Sequence, residues 1–160
     1  MKIYVARHGD SLTNDMDHKR QLSEKGRKDI KRIANFLSHQ HIQVSYLFHS
    51  GILRAEQTAE LLALGISSKT PNQARAGLEP LDSVLPLENT IATLDGDAVF
   101  VGHLPFVERL VGRLVTGDEH NLVTDFQAGT IVCLELAGKK RWIIRWMLCP
   151  DLLPAEIYSK

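Results

Sequence analysis

The strongest constraint on this chain is an alternation of two kinds of segment. Short β-branched or aromatic runs repeatedly give way to stretches whose apolar residues recur at helical spacing. The opening run, Lys2 to Ala6, reads as a strand that stops at a charged, glycine-containing stretch. From Ser23 to about Leu37, residues Ile30, Ile33, Ala34 and Leu37 share one face with Lys and Arg between them, and Ser23 is placed as the N-cap. Val44 to His49 reads as the next strand, and Ile52 to Leu64 as a helix stopped by Gly65. The stretch from Ser67 to Pro86 is rich in turn formers and reads as loops around one short strand near Ala74. Glu88 to Leu94 is a short helix, Ala98 to Gly102 a buried-type strand, and Pro105 a first-turn residue of a helix running to Val115. Thr130 to Leu136 and Trp142 to Leu148 then follow one another across Ala137-Gly138-Lys139-Lys140-Arg141, as in an antiparallel hairpin.

This order predicts an α/β fold, a three-layer α/β/α sandwich with a mainly parallel mixed sheet and antiparallel edge strands. With 160 residues and no repeat, low-complexity tract or linker, the expectation is a single domain over 1–160. Sites in such sheets lie at the carboxyl ends of the strands. Arg7-His8-Gly9, His49-Ser50 and Gly102-His103 each follow a predicted strand, so all three are expected to converge on one edge.

Charge narrows the partners. Lys plus Arg and Asp plus Glu both number 19, leaving no net field to draw in nucleic acid or an anionic membrane, so any affinity for anions must be local. The opening apolar run is too short for a signal-peptide core, and no window approaches about eighteen uncharged apolar residues. A soluble, cytoplasmic protein is expected. Cys133 and Cys149 match no zinc or redox spacing and read as two buried small hydrophobes in a reducing compartment.

The residues at the predicted strand ends suit phosphoryl chemistry. A dianionic phosphoryl group spreads charge over its equatorial oxygens in a loose transition state and needs several fixed donors around it. Arg7 and Arg54 can each fork onto two oxygens, His103 can supply a further contact, and a neutral His8 can attack phosphorus in line. Neighbouring guanidinium groups should push the free His8 towards its neutral form.

An Arg-His-Gly tripeptide alone is weak evidence, but it is followed in order by Leu22-Ser23-Glu24-Lys25-Gly26, by Ser50-Gly51-Ile52-Leu53-Arg54-Ala55-Glu56-Gln57-Thr58 and by Val101-Gly102-His103-Leu104-Pro105. Together these resemble the histidine phosphatase superfamily, in its phosphoglycerate mutase-like branch. The short length, Arg7-His8-Gly9-Asp10 and the His-Leu-Pro sequence are most similar to SixA-type phosphohistidine phosphatases. The resemblance implies that His8 is the phosphorylated nucleophile, that Arg7, Arg54 and His103 bind phosphate, and that Arg20 reaches the pocket rim. Arg20 is equally readable as a solvated loop arginine.

One departure bears on substrate. Ester phosphatases and mutases of this branch use a carboxylic acid after the third strand to protonate the leaving oxygen. Glu79 and Asp82 are the available carboxylates here, but neither sits in a convincing copy of the longer motif, and each also reads as a solvated loop residue. An alcohol departs as an alkoxide about as basic as hydroxide, water itself having a pKa of about 15.7, and so requires an acid. Imidazole, with a conjugate-acid pKa of about 6.5, departs as a neutral amine once solvent has protonated its ring. The chain also has little length to spare for a lid.

The expectation is therefore a metal-independent phosphatase without cofactor. It would act, as a monomer with an open pocket, on phosphohistidine of a phosphocarrier or histidine-phosphotransfer domain, with phosphate or another tetrahedral oxyanion fitting the same pocket. Two rivals stand beside it: a small-molecule phosphomonoesterase using Glu79 or Asp82 as the acid, and a catalytically silent phosphate- or phosphohistidine-binding module. His39 and His41 could pair on a metal but lack a third ligand and read as a solvated helix end. His49 reads either as a pocket neighbour or as a packed strand-end residue, and His18 and His120 as loop residues.

Overall fold

A computed structural model describes residues 1–155. Its central strand, β1 (Lys2–Arg7), shows how the layers arise. Side chains alternate across a strand, so Ile3 and Val5 enter one apolar cluster while Tyr4 and Ala6 enter another. The helices cover these two faces. Helix α1 (Glu24–Ser38) and helix α2 (Leu53–Leu62) pack on the Tyr4 side, whereas α3 (Leu85–Thr93) and α4 (Phe106–Thr116) pack on the Ile3 side. The α/β/α sandwich expected from the alternation is present.

The remaining strands are β2 (Gln43–Val44), β3 (Tyr46–His49), β4 (Ser67–Ser68), β5 (Gln73–Ala74), β6 (Ala98–Gly102), β7 (Ile131–Leu136) and β8 (Trp142–Leu148), with a final 3-10 turn at Pro150–Leu152. The main sheet has the order β5-β3-β6-β1-β7-β8. Strands β5, β3, β6 and β1 run parallel, and β7 and β8 are antiparallel additions on one side. Register aligns Arg7 with Gly102 and His49 with Val101. The residues just beyond these strands, His8, Ser50 and His103, therefore emerge side by side at the carboxyl edge. Among the described residues no helix is long and apolar enough to cross a membrane.

Several element boundaries differ from the sequence expectation. The strand read over Val44 to His49 is broken at Ser45, where the N–H groups of Ser45 and Tyr46 both turn to Asp97 O, and Gln43–Val44 pairs with Ser67–Ser68 in a separate two-stranded sheet. Gly65 does not stop α2, which ends three residues earlier. It serves close packing instead, since a Cβ there would lie 1.9 Å from Ala34 O of α1. Helix α3 starts at Leu85 rather than Glu88, because Pro86 in its first turn forfeits no helical hydrogen bond. Pro105 occupies the N-cap of α4 rather than a place inside the helix. Strand β7 is interior, between β1 and β8, so only β8 is an antiparallel edge, and the opposite edge, β5, is parallel. Cys133 is buried as expected, but Cys149 is only half-buried.

Candidate functional site

His8 leaves β1 with its N–H donating to Gly102 O of the neighbouring strand at 3.0 Å. Its ring is fixed by two contacts of opposite kind. Nδ1 lies 2.7 Å from Gly9 O, an acceptor only, so Nδ1 carries the proton. Nε2 is then the lone-pair nitrogen, and it accepts from Nε of Arg54 at 3.3 Å.

Arg54 stands in the first turn of α2, and the residues after it lock that helix to the loop following β1. The hydroxyl of Thr58 accepts from Gly9 N–H at 3.0 Å and donates to Arg54 O at 2.8 Å. The side-chain carbonyl of Gln57 accepts from Leu22 N–H at 2.8 Å. The Leu22 to Gly26 segment completes the lock. Ser23 caps α1 by accepting from Gly26 N–H at 3.0 Å and donates to the Asp10 carboxylate at 2.5 Å. Gly26 lies so near the Asp10 carbonyl that a Cβ would come within 2.0 Å of its oxygen.

Arg7, His8, Arg20, Arg54 and His103 share the wall of one cavity of about 360 Å³. Every residue expected to bind phosphate is thus brought together. Arg7 is anchored by donation to Phe126 O at 2.9 Å, and its Nε is buried without a partner among the described residues. Arg20 adopts a left-handed backbone (φ 49°) and is braced against Leu12 O at 3.2 Å and the Ser11 hydroxyl at 3.3 Å. His103 is buried, with Nε2 2.7 Å from Ser50 Oγ and its ring centroid 5.0 Å from that of His8.

Glu79 and Asp82 are not in this wall, which Pro80 reaches between them. Glu79 is exposed, and the Asp82 carboxylate is occupied by Glu79 N–H at 2.9 Å in a local turn. The carboxylate that does line the cavity is Asp10, which the sequence reading passed over. Its signal was its place two residues after His8 together with a serine N-cap able to hold it. Ser50, expected at the same edge as His103, touches its ring there.

His49 is buried but outside the cavity wall, its Nδ1 accepting from Gly51 N–H at 3.1 Å. His18, His41 and His120 are exposed, and the exposed His39 bonds Asn35 O through Nδ1 at 2.9 Å. No group of three metal-ligating side chains occurs among the described residues. A larger depression of about 740 Å³ lies on the outer face of α1, where Lys25, Lys28 and Arg32 are ion-paired with Asp29 or Glu24.

Electrostatics keep both cavity histidines neutral. Burial pushes His8 down to about 4; the Gly9 carbonyl opposes this, and Arg54, Arg7 and Arg20 reinforce it. The guanidinium groups thus act in the expected direction, with burial as the larger cause. Burial likewise pushes His103 down to about 3, with smaller contributions from His8, Arg54, Arg20 and Arg7.

Acid should therefore destabilise the fold through this site. The unfolded chain takes up a proton on each histidine as pH falls below about 6.5, while the folded chain resists until pH nears about 4 and about 3. Stability present above pH 6.5 is lost across that window, by about 1.4 kcal/mol per pH unit for each histidine. Urea midpoints measured at pH 7 and pH 5 should fall with pH. Equal midpoints at the two pH values would contradict a neutral buried pair.

The family model for the histidine phosphatase superfamily (branch 1) matches residues 3–82. An uncharacterised protein of Picosynechococcus sp. is 35% identical over 138 residues, covering 82% of this chain and 83% of the relative. This chain belongs to the histidine phosphatase superfamily, branch 1. Within it, similarity extends to the phosphohistidine phosphatase SixA of Escherichia coli (strain K12), 26% identical over 155 residues and covering 94% of both chains. The fold matches that of the protein histidine phosphatase SixA complexed with tungstate at a TM-score of 0.84, with 24% identity over 95% of this chain and 99% of the other. A phosphoserine phosphatase mutant from Entamoeba histolytica, in complex with phosphoserine, shares the fold at a TM-score of 0.67, with 12% identity over 91% and 95% of the chains.

Proposed function

We propose that this chain hydrolyses phosphohistidine on a protein, through a phosphoryl group carried on His8. The observation that carries this reading is the fixed polarity of the His8 ring. Nδ1–H is spent on Gly9 O, which leaves the Nε2 lone pair in a cavity wall shared with three arginines.

In the first step Nε2 of His8 attacks phosphorus, the P–N bond of the substrate breaks, and its electron pair returns to the substrate imidazole, which takes a proton from solvent. Arg7, Arg54 and Arg20 hold the equatorial oxygens as charge redistributes. In the second step water attacks phospho-His8. The new P–N bond breaks, its electrons return to Nε2, and inorganic phosphate leaves.

Phosphohistidine is favoured over an ester by the carboxylates: Asp10, the one in the cavity wall among the described residues, already accepts from the Ser23 hydroxyl. Glu79 and Asp82, the carboxylates that follow β5, are not among the residues lining the cavity, and an imidazole leaving group can do without such an acid. Similarity to the E. coli phosphohistidine phosphatase along 94% of both chains supports the same class of substrate.

The test is a pair of assays in chelator-treated buffer, one with a histidine-phosphorylated carrier protein and one with a sugar phosphate, each against a His8→Ala control. His8-dependent phosphate release from the carrier alone is expected. Turnover of the sugar phosphate instead would refute the substrate assignment and make Asp10 the carboxylate to replace first. Loss of phosphate from neither would favour a binding module.

A further inference from the structure

His103 is 1% exposed, and its two ring nitrogens have unequal surroundings. Nε2 lies 2.7 Å from Ser50 Oγ, whereas Nδ1 is a buried polar atom without a hydrogen-bond partner among the described residues. Two tautomers satisfy the 2.7 Å contact, and the hydroxyl distinguishes them. Ser50 Oγ already accepts from Ile52 N–H at 3.2 Å. If Ser50 donates its proton to Nε2, the hydroxyl both accepts and donates, and the imidazole proton resides on Nδ1. If Nε2–H donates instead, Ser50 Oγ accepts twice and its own proton has no acceptor given by the structure. His103 lines the cavity, and Nδ1, its buried nitrogen without a partner among the described residues, would then carry a lone pair beside a pocket that holds three guanidinium groups.

We propose that Ser50 is a positioning residue that holds His103 in the Nδ1–H tautomer, so that the neutral ring offers an N–H donor to the phosphoryl group. The inference rests on the proposed phosphoryl transfer and assigns Ser50 a part in it. Ser50 acts through His103 and not on the substrate. Its position, one residue past the end of β3 and beside the end of β6, follows from the register that aligns His49 with Val101. A neutral donor suits a cavity that already holds three guanidinium groups, since it adds a hydrogen bond without adding charge. Correct tautomer selection by a neighbouring side chain is a recognised source of large rate effects in histidine-dependent catalysis.

The test joins a spectroscopic and a kinetic readout. Long-range proton–nitrogen correlation spectra of the nitrogen-15-labelled full chain, with His103 assigned by comparison with His103→Asn, should show a protonated Nδ1 and an unprotonated Nε2. Ser50→Ala should shift this towards a mixture of tautomers and lower kcat on the phosphorylated carrier by about tenfold or more, with KM little changed. Ser50→Thr, which keeps the hydroxyl, should restore both. An Nε2–H ring in the unmodified protein, or a Ser50→Ala variant with unaltered tautomer and turnover, overturns the proposal. The spectra need no substrate, so a lack of His8-dependent turnover would refute the functional reading while the tautomer assignment still stood or fell on its own.

Discussion

Replacing His8 with alanine should reduce phosphohistidine hydrolysis by at least about 10⁴-fold while leaving the circular dichroism spectrum unchanged. The size of the loss follows from the proposed chemistry, because the same ring nitrogen forms the bond in the first step and loses it in the second. The fold should tolerate the change. The His8 ring donates one hydrogen bond, to Gly9 O, and accepts one, from Arg54. The backbone bonds that place residue 8, from its N–H to Gly102 O and from Gly129 N–H to its carbonyl, do not involve the side chain. The alanine also relieves the acid sensitivity contributed by His8, whose burial holds it at about 4. A companion experiment follows the phosphoryl group: rapid quenching of the unmodified protein during turnover should trap an acid-labile phosphoenzyme that is absent from His8→Ala. Substantial residual turnover in the variant, or a phosphoenzyme that persists without His8, would remove this residue from the nucleophile's position.

What the sequence disclosed and what it withheld have separate physical causes. Strand β6 was legible to the residue, because Ala98–Gly102 is buried on both faces and a fully apolar strand bounded by turns has few alternatives. Helix α1 was legible because one face enters the core, and Ser23 caps it as its residue type suggested. Convergence of His8, Ser50 and His103 followed from the carboxyl-edge rule for parallel sheets, and the register of β1, β3 and β6 accounts for it. The break at Ser45 could not be read in advance, since it depends on Asp97, far along the chain, whose carbonyl captures two consecutive N–H groups. Gly65 was misread for a related reason. A glycine after a helical run signals a stop by local rules, yet this one is shaped by the backbone of another helix, 1.9 Å from where its Cβ would be. Asp10 was hidden because its significance lies in a contact with Ser23 that no local spacing encodes, and Ser50, though expected at the same edge as His103, because its residue type does not announce a contact with that ring.

Arg54 tests a different feature of the pocket, the stabilisation of charge in transit. Its Nε donates to Nε2 of His8, which points the guanidinium at the atom proposed to receive the phosphoryl group. Once phosphorus approaches that nitrogen, the same fork is placed to hold equatorial oxygens on either side of the attack line. Arg54→Ala should therefore cost about 10²- to 10³-fold in kcat, the usual consequence of losing one donor matched to the transition state. A competing explanation is that removing a nearby positive charge lets His8 become protonated. The ordering of causes argues against it: burial is the largest influence on His8 and persists without Arg54, so the ring stays neutral near pH 7. The acid limb of the pH–rate profile should accordingly move little while its plateau drops. Arg54→Lys separates charge from geometry. It keeps a cation but loses the planar fork, and it should recover only part of the loss. A decrease of less than a few-fold in Arg54→Ala, or full recovery by lysine, would show that the forked contact is not what the reaction uses.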